Sequence, residues 1–302
     1  MPRFDASQTL RARLFVLLQY VLPQHLLSRL VMHLTRNRWA PLQRALIRTF
    51  VRRFRPQMHE AIESDPLGYP TFNAFFTRGL RPGARPAPTD PLAFAAPVDG
   101  AISQIGRLDA GRIVQAKGHD YSLEALLAAG SPWPARFAGG SFATVYLAPS
   151  DYHRVHMPLA GTLRAAWVVP GSLFSVNAAT AAAVPGLFAR NERLVLMFAD
   201  GTLEWSLILV GALFVGSFTT VWHGDVRVHG RRRVCELPMT SAHAPLHLAR
   251  GAELGRFNMG STVIALLPAE SLDWRADLGP SQAVRVGQTL GRLRAGQIGE
   301  PR

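Results

Sequence analysis

A serine whose hydroxyl can reach the carbonyl of the preceding residue can attack its own backbone. Residues 255–264 (GRFNMGSTVI) offer such a pair in Gly260-Ser261. Gly260 has no side chain, so its carbonyl is open to close approach and its backbone can adopt dihedrals other residues avoid. The β-branched run after it, Thr262, Val263 and Ile264, reads as a strand that pins the turn. A Gly-Ser turn entering a strand is also an ordinary structural device, so the pair needs partners. A hydroxyl nucleophile needs a base, and the base needs orienting. Residues 148–158 (APSDYHRVHMP) supply His153 and His156, and residues 97–100 (PVDG) supply Asp99. Pro149 and Pro158 place the histidines in a loop between strands, where chemistry-bearing groups are commonly displayed. The two histidines have no third ligand at usual spacing, so no metal is expected. Asp-Gly alone is most often a hairpin turn, and either histidine alone is as often a capping or solvated residue. Spacing does not show that Asp99, the histidines and Ser261 meet.

The elements that must position these groups fall into two regions. Residues 10–34 are apolar at helical spacing in two stripes, Leu10 to Leu22 and Leu26 to Val31, separated by Pro23. The longest apolar run, 14–18, is far short of the roughly 20 residues of a membrane span. Basic residues continue past it with no small-residue cleavage site, unlike a signal peptide. Helical periodicity continues over 41–54, a short aromatic helix is expected within 69–78, and a Pro/Gly-rich stretch follows. Beyond it the pattern changes to strands: 95–107 with a turn at Asp99-Gly100, 111–116, 142–147, 161–169, 191–198, 202–210, 212–222 and 263–267. Ser122 is placed to cap a short helix over 123–129. The expectation is an α+β chain: a helical, membrane-associating region at 1–80, a linker at 81–94, and a larger, mainly antiparallel β domain at 95–302, sandwich- or barrel-like.

Charge supports a membrane role for the first region. The formal net charge is +13, and residues 1–56 hold eleven Arg against Asp5 alone, a net +10. Amphipathic helices with this surplus read as an interfacial element on an anionic membrane surface. A nucleic-acid partner is not expected, because aromatics are not interleaved with the Arg and no binding motif appears. Helices packed on their own domain remain the alternative. The single cysteine, Cys235, excludes an internal disulfide and fits a reducing compartment.

The chain resembles the phosphatidylserine decarboxylases of the bacterial, membrane-associated, pyruvoyl-dependent type. The resemblance is carried by 97–100, Lys117-Gly118 with Tyr121-Ser122-Leu123-Glu124, 148–158, 211–222 (GALFVGSFTTVW) and 255–264, and the N-terminal helices fit it too. Met259 stands where the family often has Leu, a change that nearly conserves volume. The resemblance implies a self-processing enzyme. Ser261 attacks the Gly260 carbonyl, and elimination from the ester cuts the chain into 1–260 and 261–302, which stay together as a heterodimer. Ser261 becomes a covalent pyruvoyl group, the only cofactor, with no pyridoxal phosphate and no metal. That ketone forms a Schiff base with the amine of phosphatidylserine and acts as the electron sink while CO2 leaves. By the same resemblance Asp99 orients His156, His156 activates Ser261, and His153 returns a proton to the product. Lys117 receives no role. The expected product is phosphatidylethanolamine, made peripherally at the cytoplasmic face of the cell membrane; a homo-oligomer is left open. Two rivals stand beside this: a Ser-His-Asp lipid hydrolase acting as an intact chain, against which the absence of a G-x-S-x-G elbow counts, and a non-catalytic membrane-bound β scaffold.

Overall fold

The computed structural model describes residues 9–116, 119–128, 132–214, 217–227, 233–239, 245–259 and 262–294. Lys117, Gly118, Gly260 and Ser261 lie outside the described residues. The chain is α+β, with N-terminal helices followed by a larger antiparallel β body.

Three helices open it: α1 (Leu10–Val21), α2 (Gln24–Thr35) and α3 (Ala40–Phe54). Thr9 caps α1 through the Ala12 amide, and Pro23 breaks the run, because proline has no N–H to continue the ladder. α1 and α2 meet at 94°. Their burial is inverted relative to a helix of a water-soluble core. Gln19, Gln24, Ser28 and Thr35 face inward, while Leu10, Leu14, Leu17, Leu18, Val21, Leu26 and Leu30 are exposed. The inward glutamines dock the pair on the β body: Gln19 Oε1 accepts from the Ser175 amide at 2.7 Å, and Gln24 Oε1 from the Leu173 amide at 2.6 Å. No single described helix is long and apolar enough to cross a membrane, although the bent pair passes the test together. α3 turns Gln43, Ile47 and Phe50 inward and leaves Arg44, Arg48 and Arg52 exposed along one face. A short helix, α4 (Phe72–Phe76), is capped by Thr71 through the Ala74 amide. It joins α3 in an aromatic cluster of Phe50, Phe72, Phe75 and Phe76.

The β body is built on a nine-stranded sheet whose centre runs Gly161–Val169, Arg193–Asp200, Leu203–Val210, Thr262–Leu267, Ser141–Tyr146, Gly100–Arg107. The three middle strands are apolar on both faces because both faces are covered. On one face lie the helices and the segment around Phe174 and Val176. On the other lies a four-stranded sheet containing Arg154–His156 and Glu253–Phe257.

The registers align one end of the large sheet. Val169 pairs with Arg193, Arg193 with Val210, Val210 with Thr262, Thr262 with Tyr146, and Tyr146 with Ala101. Neighbouring strands are about 4.8 Å apart. Asp99, Thr262 and the docking points of α1 and α2 therefore share one end of the sheet.

Most expected elements are present within a residue or two. Asp99-Gly100 differs: the strand before it, Ala93–Ala95, pairs with Thr289–Leu293, and the strand after it with Ser141–Tyr146, so it joins two sheets instead of turning a hairpin. Gly100 is required there by close approach, since a Cβ would sit 2.2 Å from the Tyr146 carbonyl oxygen.

Candidate active site

Ser261 and Gly260 join Glu253–Phe257 to Thr262–Leu267 through Asn258 and Met259. Both flanks are firmly held. Asn258 is buried and donates to Ser217 Oγ and Thr219 Oγ1, both at 3.0 Å. Met259 packs against the α4 aromatic cluster. Thr262 is fully buried between Val210 and Tyr146. The Gly-Ser pair is thus bracketed by fixed residues on two different sheets.

The histidine loop lies against the first of those sheets. Arg154–His156 pairs antiparallel with Glu253–Phe257, and the Phe257 amide donates to the His153 carbonyl at 3.0 Å. His153 is fully buried and stacks on Phe76 with ring centroids 4.0 Å apart. Its Nε2 contacts the Pro149 carbonyl at 3.4 Å, and its Nδ1 has no hydrogen-bond partner. Burial, with the Arg78 charge beside it, pushes its pKa down to about 3. Neutral His153 therefore presents a buried acceptor lone pair with nothing bonded to it.

His156 is held differently. Its Nδ1 lies 2.8 Å from the Gly251 carbonyl and its Nε2 lies 3.0 Å from the Tyr152 hydroxyl. A carbonyl can only accept, so Nδ1 carries the proton and Nε2 is the acceptor; this is the tautomer a general base at Nε2 requires. Burial lowers the His156 pKa below the usual histidine range, which keeps Nε2 unprotonated. Gly251 has φ +81°, a conformation glycine adopts readily, so the orienting carbonyl depends on a glycine.

Asp99, which the resemblance has orienting His156, takes its hydrogen bonds from other groups. It is buried and held by Arg85, whose Nε lies 2.9 Å from Oδ1 and whose Nη2 lies 2.5 Å from Oδ2, and by the Val286 amide at 2.8 Å. Glu60 adds a second carboxylate 3.0 Å from Arg85 Nη2. Burial opposes the Arg85 charge, but the hydrogen bonds to Asp99 and Glu60 outweigh it and raise its pKa. Arg85 lies 6.0 Å over the Tyr152 ring. Asp99 thus reaches His156 along the chain Asp99, Arg85, Tyr152, His156.

Several of these groups were not singled out by sequence reading. Arg85 comes from the Pro/Gly-rich stretch, which lies along the β body and is tied to it by Arg250 through the Pro88 and Asp90 carbonyls. Arg78 is buried, donates through Nη2 to the Ser150 carbonyl at 3.1 Å, and leaves Nε and Nη1 without partners. Asp151 closes the same loop by accepting the Ala148 amide at 2.8 Å. Among the described residues no cluster of three or more His, Cys, Asp or Glu could hold a metal ion.

This is an α+β body in which His156 lies on, and His153 just before, the strand paired with Glu253–Phe257, the strand that leads in sequence to Gly260-Ser261. A family model described as "Phosphatidylserine decarboxylase" matches residues 72–292, and one described only as "PSD" matches residues 14–55. Proteins named phosphatidylserine decarboxylase proenzyme are similar over nearly their full length. The one from Stutzerimonas stutzeri is 49% identical, covering 94% of this chain and 95% of its own. That from Pseudomonas putida strain GB-1 is 49% identical over 93% of this chain and 98% of its own. That from Bordetella pertussis is 50% identical over 92% and 94%. The chain belongs to the phosphatidylserine decarboxylase family and is an enzyme of that kind.

Proposed function

We propose that the chain is a proenzyme that cuts itself between Gly260 and Ser261 and then decarboxylates phosphatidylserine to phosphatidylethanolamine and CO2. The observation that carries the reading is the tautomer of His156: a half-buried, neutral imidazole, oriented by a carbonyl at Nδ1, with its basic Nε2 on the strand paired to the one leading into Gly260-Ser261.

In the first step His156 Nε2 takes the Ser261 proton, and the hydroxyl oxygen attacks the Gly260 carbonyl, moving the acyl group from nitrogen to oxygen. Asp99 acts here by fixing Arg85 against Tyr152, which in turn fixes the imidazole. Elimination from the ester then separates 1–260 from 261–302. The surroundings fit a small carbonyl group at the new terminus: Thr262 Oγ1 and His153 Nδ1 are buried polar atoms without partners on elements adjoining the junction, and such atoms favour a polar occupant over an apolar one. The pyruvoyl group made from Ser261 supplies the electron sink for decarboxylation. His153 does the proton work of the second step. Its open Nδ1 is the position from which a proton is returned to the carbon that CO2 leaves. Borohydride added with phosphatidylserine should fix the lipid headgroup covalently on the short chain; activity undiminished by hydroxylamine speaks against a carbonyl cofactor.

The same reading gives the N-terminal helices their place. Their exposed leucines and the Arg face of α3 suit an anionic lipid surface, and the site lies at the sheet end where they dock. We assign the enzyme peripherally to the cytoplasmic face of the membrane. Deleting residues 1–36 should abolish sedimentation with anionic vesicles, and salt should weaken binding of the full chain. Equal sedimentation of the truncated protein would remove the anchor.

A further inference from the structure

The elbow between α1 and α2 leaves an open cavity of about 510 Å³ against the β body, lined by Tyr20, Leu22, His25, Ser172, Phe174 and Arg190 among others. Its volume is within the range of small-molecule sites. Gln19 and Gln24, also in its wall, are committed to docking the helices. His25 Nδ1 lies 3.2 Å from buried Glu192. The remaining charge is Arg190. It is exposed, lies 5.4 Å over the Phe174 ring and 5.9 Å over Tyr20, and no carboxylate pairs with it among the described residues. The rings fix where the guanidinium sits and leave its in-plane N–H groups for another acceptor. The rim is apolar: Val21 and Leu26, at the two sides of the elbow, are 78% and 64% exposed.

The cavity is also in the right place. Arg190 precedes Arg193, which pairs with Val210, which pairs with Thr262. Arg193, three residues after Arg190, is thus two strand spacings, on the order of 10 Å, from Thr262, the residue that follows Ser261.

We propose that this cavity is the phosphodiester subsite for the substrate lipid: Arg190 holds the phosphate, while the acyl chains lie along the exposed leucines of α1 and α2. This deepens the decarboxylase reading and rests on it. A planar fork of donors suits a phosphodiester, and the two helices then serve as one wall of the substrate site as well as an anchor.

The test uses dihexanoyl phosphatidylserine below its micellar concentration, so that no membrane surface contributes. Arg190→Gln should still be cut into two chains. Its KM should rise roughly tenfold or more, as expected for losing a hydrogen bond to a charged group, with little change in kcat, and Arg190→Lys should recover part of the loss. Calorimetric binding of the same lipid to the uncut Ser261→Ala chain should weaken by a similar factor when Arg190→Gln is added. Unchanged KM and unchanged binding overturn the proposal. They do so even if stimulation by phosphatidylglycerol in phosphatidylcholine vesicles is lost, since the cavity would then serve a lipid other than the substrate. Failure of the wild-type enzyme to turn over phosphatidylserine would instead defeat the underlying reading.

Discussion

His156→Ala should leave a single uncut chain without decarboxylase activity. The Gly251 carbonyl at 2.8 Å fixes the proton on Nδ1 and leaves Nε2 as the acceptor, met by the Tyr152 hydroxyl at 3.0 Å. Alanine removes the acceptor, and no neighbour replaces it: Tyr152 is held protonated by burial, and Asp99 is occupied by Arg85 and the Val286 amide. Asp99→Asn should also accumulate uncut chain, but through Arg85. Asparagine keeps an oxygen for the Val286 amide and loses the charge that anchors the guanidinium against Tyr152. Gel analysis of freshly purified variants reads both outcomes. Normal maturation of His156→Ala would move the base elsewhere.

His153→Ala should mature into two chains and then turn over about 10²–10⁴-fold more slowly, the range a general acid–base group contributes. Its open Nδ1 and its stacking on Phe76 suit a group waiting for substrate instead of one engaged with Ser261. A second effect follows from burial. The folded pKa is about 3 against 6.5 for the free side chain, so the unfolded chain binds a proton that the folded one refuses. Stability is therefore complete above about pH 6.5 and falls as the pH drops towards 3, by up to about 1.4 kcal/mol per pH unit. Chemical denaturation across that window should show a shallower acid loss for His153→Gln. Identical acid slopes would mean that His153 is not buried neutral.

The two histidines stand out in the sequence as candidates because their proline-bounded loop is locally dense in ionisable groups, and α1, α2 and α3 were legible because their apolar spacing is long and regular. What escaped was non-local. Nothing around Arg85 announces that it meets Asp99, and nothing around Gly251 announces that its carbonyl orients His156. Both contacts arise only when the strands at 100–107, 154–156 and 253–257 assemble. The helix Ala178–Ala183 has no polar–apolar alternation to mark it. Even the legible helices were only half read: their period was plain, but that the leucines face outward and the glutamines inward is decided by docking on Leu173 and Ser175.

The most direct test of the central claim is an intact-mass measurement on purified, active protein. The account predicts two chains, residues 1–260 and a 42-residue partner, 261–302, the shorter one carrying a carbonyl terminus that blocks Edman sequencing. Ser261→Ala, prepared in parallel, should give one mass, that of the full 302-residue chain. A single uncut chain in the fully active wild-type enzyme would contradict it.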